Sequence, residues 1–443
     1  MRTPLINLDP FDLMKKAYLL PLFLVSLCAA SFAADTPFVL KDNDTWVMAG
    51  DSITAQRLHT NYIEAFFRTR YPKLHLHFRN SGVPGHATAD LIKRFDYDIA
   101  AWKPSIISVE LGMNDQVAGV PTNYVIGMKK LTDLTRELNA RPILISSSPV
   151  DDGSMPGEWT GERCKKIHFF TEALNELGKK ENIQVIDQYH PLLYIWGKNK
   201  MFQNASAVAA SVRRLKPTEN GPEFDILQAF AKSWEGKPAG VSFGPDNVHV
   251  AGAGQVTMAA TILMALNVER EVSSATIKPD GTIVAAEGCK IDKVGSNNGK
   301  LSFTRLDERS PWPMTEDLAS ALQLMPGIAD LSRYMLTIPG LPNGQYRVTM
   351  DGTLVATLNS QELAKGWNMS TVVEGPLGAR AKNILALLSQ LQGKPINTNW
   401  RDASKEKDEA KLAAAQQAID ACEAKVQTAC QPAPIRFEIE PVK

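Results

Sequence analysis

The sequence predicts an α/β protein: a parallel sheet with flanking helices up to about residue 268, then a C-terminal β-rich domain carrying a helical hairpin. Three observations predict it. From Thr45 to Val268 short apolar runs alternate with longer helical patterns, the signature of βαβ units and a parallel sheet. Beyond about Glu271 the pattern turns to alternating strands, and "YRVTMDGTLVATL" holds Asp351-Gly352, a type I′ turn signal, at its centre. Two helical stretches, about 379–392 and 402–426, interrupt these strands.

The elements follow in order. "WVMAG" is the first strand, and Leu58, Tyr62, Ala65, Phe66 and Tyr71 then fall near one face of a helix. "LHLHFRNSG" is the second strand, and "SIISVELG" from Ser105 is a buried third. After the amphipathic "KKLTDLTRELNA" come "RPILISSSP" from Arg141, the helix "CKKIHFFTEALNELGKKEN" and the last major strand, "IQVIDQY". The region 196–240 lacks this rhythm and reads as an insertion. Its aromatics, with Tyr194, Trp196, Phe202, Phe224, Phe230 and Trp234 in view, either rim a site and stack a sugar or pack as a small subdomain. The helix "AGAGQVTMAATILMAL" closes the unit. Further on, "KLSFTRL", "YMLTIPGL" and "IRFEIEPV" are strands, and Leu412, Ala415, Ile419, Cys422 and Val426 line one seam of the second hairpin helix.

Residues 1–33 read as a secretory signal: Lys15 and Lys16 precede the apolar run from Ala17 to Ala30, and small Ser31 and Ala33 suit cleavage after Ala33. Met14 opens a more typical signal than Met1 does, and Leu27 before Cys28 argues against a lipoprotein. The mature chain is then secreted or periplasmic, with one domain at 35–270 and another at 271–443. The apolar run is shorter than the ~20 residues a membrane span needs, so none is expected in the mature chain. With 48 basic against 48 acidic side chains there is no electrostatic footprint for nucleic acid.

Export also places Cys164, Cys289, Cys422 and Cys430 where thiols tend to pair. Cys422 and Cys430 can pair only if their helix ends between them, because eight residues at ~1.5 Å rise exceed the ~7 Å reach of a disulfide. No cysteine and histidine cluster signals a metal, and no cofactor is expected. Oligomeric state stays open.

The candidate chemistry starts at "TWVMAGDSITAQ". A strand that ends in Gly50-Asp51-Ser52 and turns into a helix puts Ser52 at the carboxyl end of a parallel strand, where open α/β sheets bind ligands. Ser52 is either a helix cap or a nucleophile, and a nucleophile needs a base, an orienting acid and oxyanion donors. Of the seven histidines, His59, His75, His77, His86, His168, His190 and His249, the last stands out. "FGPDNVHVAGAG" sets Asp246 three residues before it, so one tight turn can bring carboxylate to imidazole. His168 and His190 read as structural, without an acidic neighbour at useful spacing. "RNSGVPGHAT" offers Gly82 after the second strand, and "ELGMND" offers Gly112 and Asn114 after the third, as donors for a developing oxyanion. His86 and Met113 are candidates to line the pocket.

The blocks "GDSIT", "NSGVPGHAT", "LGMND" and "DNVH", in this order, resemble the four signature blocks of the SGNH hydrolases, the GDSL-type esterases and lipases. The resemblance covers roughly 45–267 and implies a flavodoxin-like three-layer α/β/α fold. It also implies Ser52 as nucleophile, His249 as base oriented by Asp246, and an oxyanion hole from the Ser52 and Gly82 N–H groups and the Asn114 amide. Val250 after the histidine and "VPGH" after Gly82 depart from the common pattern. The tail, through "LPNGQYRVTMDG" and "LAKGWNMS", resembles that of secreted bacterial members. The expected partner is a small-molecule or polysaccharide ester, with O-acetyl groups on carbohydrate foremost. The alternatives are a lipid or aryl esterase or thioesterase on the same machinery, or a non-catalytic carbohydrate-binding or scaffold protein.

Overall fold

The computed structural model describes residues 37–442 except 152–160, 216–221, 243, 245, 251 and 298; the leader expected at 1–33 lies outside them. Strand β1 (Thr45–Gly50) runs into the one-turn helix α1 (Ser52–Ala55) and then α2 (Leu58–Arg70). The same alternation continues through β2 (His77–Gly82), α3 (Thr88–Asp98), β3 (Ile106–Glu110), α4 (Pro121–Glu137), β4 (Arg141–Ile145), α5 (Glu162–Glu181) and β5 (Gln184–Ile186). Helices α6 (Tyr189–Val212), α7 (Pro222–Ser233) and α8 (Ala253–Ala265) complete the unit.

All pairings in this sheet are parallel and its order is β2-β1-β3-β4-β5, the flavodoxin-like arrangement. Because side chains alternate along a strand, β1 serves two cores. Trp46 and Met48 pack with Phe66 and Phe67 of α2 and Val256 and Leu263 of α8. Val47 and Ala49 face Leu91, Tyr124, Met128 and Phe170 of α3, α4 and α5. Both faces are apolar because both are covered, and three layers result.

The region 196–240, which lacked a readable rhythm, holds the remainder of α6 and, from Pro222, α7. The α6 sequence carries no apolar stripe, so periodicity does not reveal that helix. Phe202 and Phe230 close on Trp234 with ring centroids 6.2 and 6.1 Å away, which makes these aromatics a small packed cluster, whereas Tyr194 stays exposed.

The β-rich part comprises β6 (Glu271–Ile277), β7 (Ile283–Glu287), β8 (Cys289–Asn297), β9 (Lys300–Asp307), the helix α9 (Asp317–Leu324), β10 (Arg333–Thr337), β11 (Gln345–Met350), β12 (Thr353–Asn359) and β13 (Trp367–Asn368). Helices α10 (Gly375–Leu391), α11 (Arg401–Glu406) and α12 (Glu409–Cys430) precede β14 (Ile435–Pro441). Two sheets, β13-β10-β6-β7 and β12-β11-β14-β9-β8, enclose a core that includes Phe303, Leu336, Val348 and Phe437. Asp351 and Gly352 have φ of 47° and 79°, the two left-handed residues a type I′ turn requires.

The second hairpin helix is not continuous from 402 to 426. Lys407 turns left-handed at φ 57°, and the Asp408 side chain accepts from the Lys411 N–H to start α12 afresh. Cys422 and Cys430 both lie on that unbroken helix, so they cannot pair; with Cys289 they are free thiols. The Cys164 thiol donates to the Val150 carbonyl at 3.2 Å.

The hairpin packs on α2 and covers the outer edge of β2. There the Gln392 amide donates to the Phe78 carbonyl (2.9 Å) and accepts from the Asn80 N–H (3.1 Å), as a neighbouring strand would. Among the described residues no helix is long and apolar enough to cross a membrane.

Candidate active site

Ser52 leaves the carboxyl end of β1, and the end of β1 lies between those of β2 and β3, at the topological switch point of the sheet. The helix that starts here is capped by Asp51, whose Oδ1 accepts from the Ile53 N–H at 2.9 Å. Capping is therefore not the task of Ser52. Its Oγ lies 2.7 Å from His249 Nε2 instead.

His249 comes from the loop before α8. Asp246 shapes that loop, since its Oδ1 accepts from the N–H groups of Val248 and His249, both at 2.7 Å. Its Oδ2 accepts a hydrogen bond from His249 Nδ1 at 2.9 Å. The same backbone and ring contacts hold the Asp246 carboxyl down at about 2, so it remains an anion at any pH near neutral. A carboxylate on Nδ1 leaves Nε2 to accept a proton from Ser52. The turn is open to water, with the Asp246 and His249 side chains 49% and 32% exposed.

The ends of β2 and β3 complete the rim. A side chain at Gly82 would lie 2.3 Å from the Ala55 backbone nitrogen, so only glycine lets β2 approach α1 this closely. The Gly82 N–H donates to Asn80 Oδ1 at 3.0 Å, and an oxyanion would have to share it or displace Asn80. Asn114 Nδ2 donates to the His86 carbonyl (3.0 Å) and lies 3.4 Å from Asp51 Oδ2. His86 stands beside these donors and accepts from Arg94 Nε at 3.2 Å; burial and the guanidinium both lower its pKa. Met113, by contrast, is buried in the cluster with Ile53, Val150 and Tyr189 and packs as core.

Two groups around this site escaped the sequence reading. Arg94 donates to the carbonyls of Gly50 and Ser81 and pairs with Asp98, which clamps the ends of β1 and β2 together. Glu110 ends β3 fully buried, reached by His59 Nε2 (3.1 Å), Gln188 Nε2 (2.7 Å) and Thr54 Oγ1 (3.3 Å), while Gln255 Oε1 holds His59 Nδ1 at 2.9 Å. A glutamate closing the buried run "SIISVELG" was the available signal for the second group. The sequence also missed carboxylates beside His190: Asp187 meets its Nδ1 at 2.6 Å and Glu172 lies 3.8 Å from its Nε2.

Burial pushes the Asp51 carboxyl up to about 7, the nearby Glu110 adds to the shift, and the Ile53 N–H opposes it. The unfolded chain releases this proton near 3.8 and the folded chain holds it to about 7. This contribution to stability is therefore full below the unfolded value and is lost as pH rises through about 7. Asp51→Asn keeps the shape without the charge. Between about pH 5 and 7 the variant should gain on wild type by roughly 1 kcal/mol per unit, then level off. Urea unfolding of both proteins across that range measures it; parallel stability curves would refute a buried neutral Asp51.

The comparisons with known proteins bear on this geometry. Residues 48–202 match the GDSL-like lipase/acylhydrolase family, and that segment carries Ser52, Gly82 and Asn114 on the first three strand ends. The chain carries a GDSL-like acylhydrolase domain. A gut microbial diltiazem-metabolizing enzyme has the same fold as this chain, at 20% identity and a TM-score of 0.69, covering 91% of this chain and 99% of its own. An acetylxylan esterase from Geobacillus stearothermophilus aligns at 17% identity over 52% of this chain and 98% of its own, with a TM-score of 0.38. An alpha/beta hydrolase enzyme from the metagenome of Lake Arreo, Spain, aligns at 15% identity over 51% and 96%, with a TM-score of 0.37. No curated protein matches the chain.

Proposed function

We propose that this acylhydrolase is an exported serine esterase that removes short acyl groups, acetyl foremost, from carbohydrate. The observation that carries the reading is the 2.7 Å contact of Ser52 Oγ with a His249 whose other nitrogen is held by Asp246. His249 takes the Ser52 proton as Oγ attacks the ester carbonyl. The oxyanion is stabilised by the Asn114 amide and by the Ser52 and Gly82 N–H groups, the last released by Asn80. The alcohol then leaves with the proton from His249, and water repeats the cycle on the acyl-enzyme. The openness of the Asp246 and His249 turn suits an ester carried on a large hydrated alcohol.

Labelling by a fluorophosphonate tests the nucleophile: modification of Ser52 supports it, and a folded protein that does not label is a binding module instead. Acetate release from acetylated xylan, pectin and sialosides, set beside turnover of p-nitrophenyl esters of rising length, tests the substrate. A preference for long acyl chains would point to a lipid esterase on the same residues. Asn114→Ala should lower kcat by about two to three orders of magnitude, the effect of losing one oxyanion donor. Steady-state kinetics with p-nitrophenyl acetate measures this; a change confined to KM would remove Asn114 from the oxyanion hole.

A further inference from the structure

Outside the Ser52 site, one cluster of donor atoms stands out among the described residues. His168 and Glu172 lie one turn apart on α5 and so share a helix face. His190, the second residue of α6, is brought up to them where that helix leaves β5. His168 Nδ1 is 3.3 Å from His190 Nε2, and Glu172 Oε1 is 3.8 Å from the same Nε2. One ligand atom from each of the three residues lies within 4.8 Å of both others.

We propose that His168, Glu172 and His190 form a binding site for a divalent transition metal of the zinc type. Two nitrogens bound at about 2.0–2.1 Å to a tetrahedral ion stand about 3.3–3.4 Å apart, the separation the two imidazoles already have. The carboxylate needs only a small rotamer adjustment to become the third ligand, and water fills the fourth position beside the exposed Glu172.

The surroundings prepare His190 for this role. Asp187 Oδ2 accepts from Nδ1 at 2.6 Å, and its Oδ1 accepts from the His190 N–H at 3.2 Å. Asn175 donates to the same carboxylate at 3.3 Å and fixes it in turn. This is the carboxylate behind a ligating imidazole that sets its tautomer and points Nε2 at the ion. The sequence hides the site because its donors sit on two helices, with the two histidines 22 positions apart. A bound ion would tie α5 to the start of α6. Both helices supply the apolar cluster that holds Ile53 and Val250, the neighbours of Ser52 and His249 in sequence, through Cys164, Ile167, Tyr189 and Leu192.

The test is calorimetric titration of untagged, metal-stripped protein with Zn²⁺ alone. One equivalent should bind wild type and His249→Ala alike, since the triad histidine is not a ligand. His168→Ala and Glu172→Gln should each weaken binding, and Asp187→Asn should weaken it by about 10- to 100-fold, the cost of removing the partner behind a ligand. X-ray absorption of the bound ion should show two imidazole nitrogens at about 2.0–2.1 Å, and thermal unfolding should shift upward only in proteins that bind. Absence of binding to wild type would show that the two imidazoles merely hydrogen-bond each other, and overturns the proposal. Equal affinity in His168→Ala and Glu172→Gln overturns it as well. Glu172 is half exposed, so its variant keeps the test decisive if a histidine variant fails to fold.

Discussion

Ser52→Ala is expected to lower kcat by about four to six orders of magnitude and to leave the fold intact, as removal of a serine nucleophile does in hydrolases of this kind. The attacking atom is lost, and the residual rate rests on the oxyanion donors and substrate binding alone. Structural damage should be small for a specific reason: Asp51, not Ser52, caps α1, so the turn keeps its hydrogen bond. Had the serine been the cap, the same substitution would cost about 1 kcal/mol of stability instead of activity. Burst kinetics with p-nitrophenyl acetate and a thermal melt on the same sample separate the two. A variant within about tenfold of wild-type kcat would end the acyl-enzyme reading, because the attacking atom could then not be Ser52 Oγ.

The parts of the fold legible in the sequence are those governed by local rules. The sheet was readable because β1, β3 and β4 are compact apolar runs and helical patterns separate the strands. The hairpin at Asp351-Gly352 was readable because two left-handed residues in a row demand such side chains. The neighbourhood of Ser52 was readable for a similar reason: Gly82 ends a strand, Ser52 and Asn114 lie just beyond the ends of two others, and Asp246 reaches His249 within one turn.

What was not legible depends on the register of distant elements. Asp187 and His190 repeat the spacing of Asp246 and His249 and make an equally close pair, yet the sheet order delivers only His249 to Ser52. Short spacing can specify an imidazole-carboxylate pair; topology decides what it faces. The same holds for Glu110, whose partners Thr54, His59 and Gln188 converge only once β3 is laid beside β1. It holds too for Arg94, which reads the carbonyls of two strand ends at once. The hairpin read as part of the C-terminal region turns out to seal an edge of the first sheet, and nothing in its own periodicity names that surface.

That seal sets the second large expectation: Glu423→Ala should destabilise the protein by about 3–5 kcal/mol, the usual result of breaking a buried ion pair from one side. Glu423 of α12 meets Arg79 Nη1 at 2.6 Å, Arg68 Nη2 at 3.5 Å and His77 Nδ1 at 2.8 Å. Both arginine side chains are no more than 4% exposed, so neither finds water as a substitute. Burial alone would raise the glutamate; His77, Arg79 and Arg68 overcome it and hold the carboxyl at about 2, below its ordinary 4.5. A depressed carboxylate stabilises the fold fully above the unfolded value, and that contribution is lost as pH falls from about 4.5 through 2. The wild type should therefore lose stability in that acid window more steeply than Glu423→Ala, and the two curves should converge there. The loss should also reach the active site. Gln392 of the same hairpin bonds the Asn80 N–H, and Asn80 in turn accepts from the Gly82 N–H and donates to the Thr54 carbonyl behind Ser52. Hydrogen exchange at Asn80 and Gly82 should quicken in Glu423→Ala, with urea unfolding on the same samples giving the global loss. Unchanged exchange with an intact melting curve would mean that the hairpin merely rests on the sheet edge.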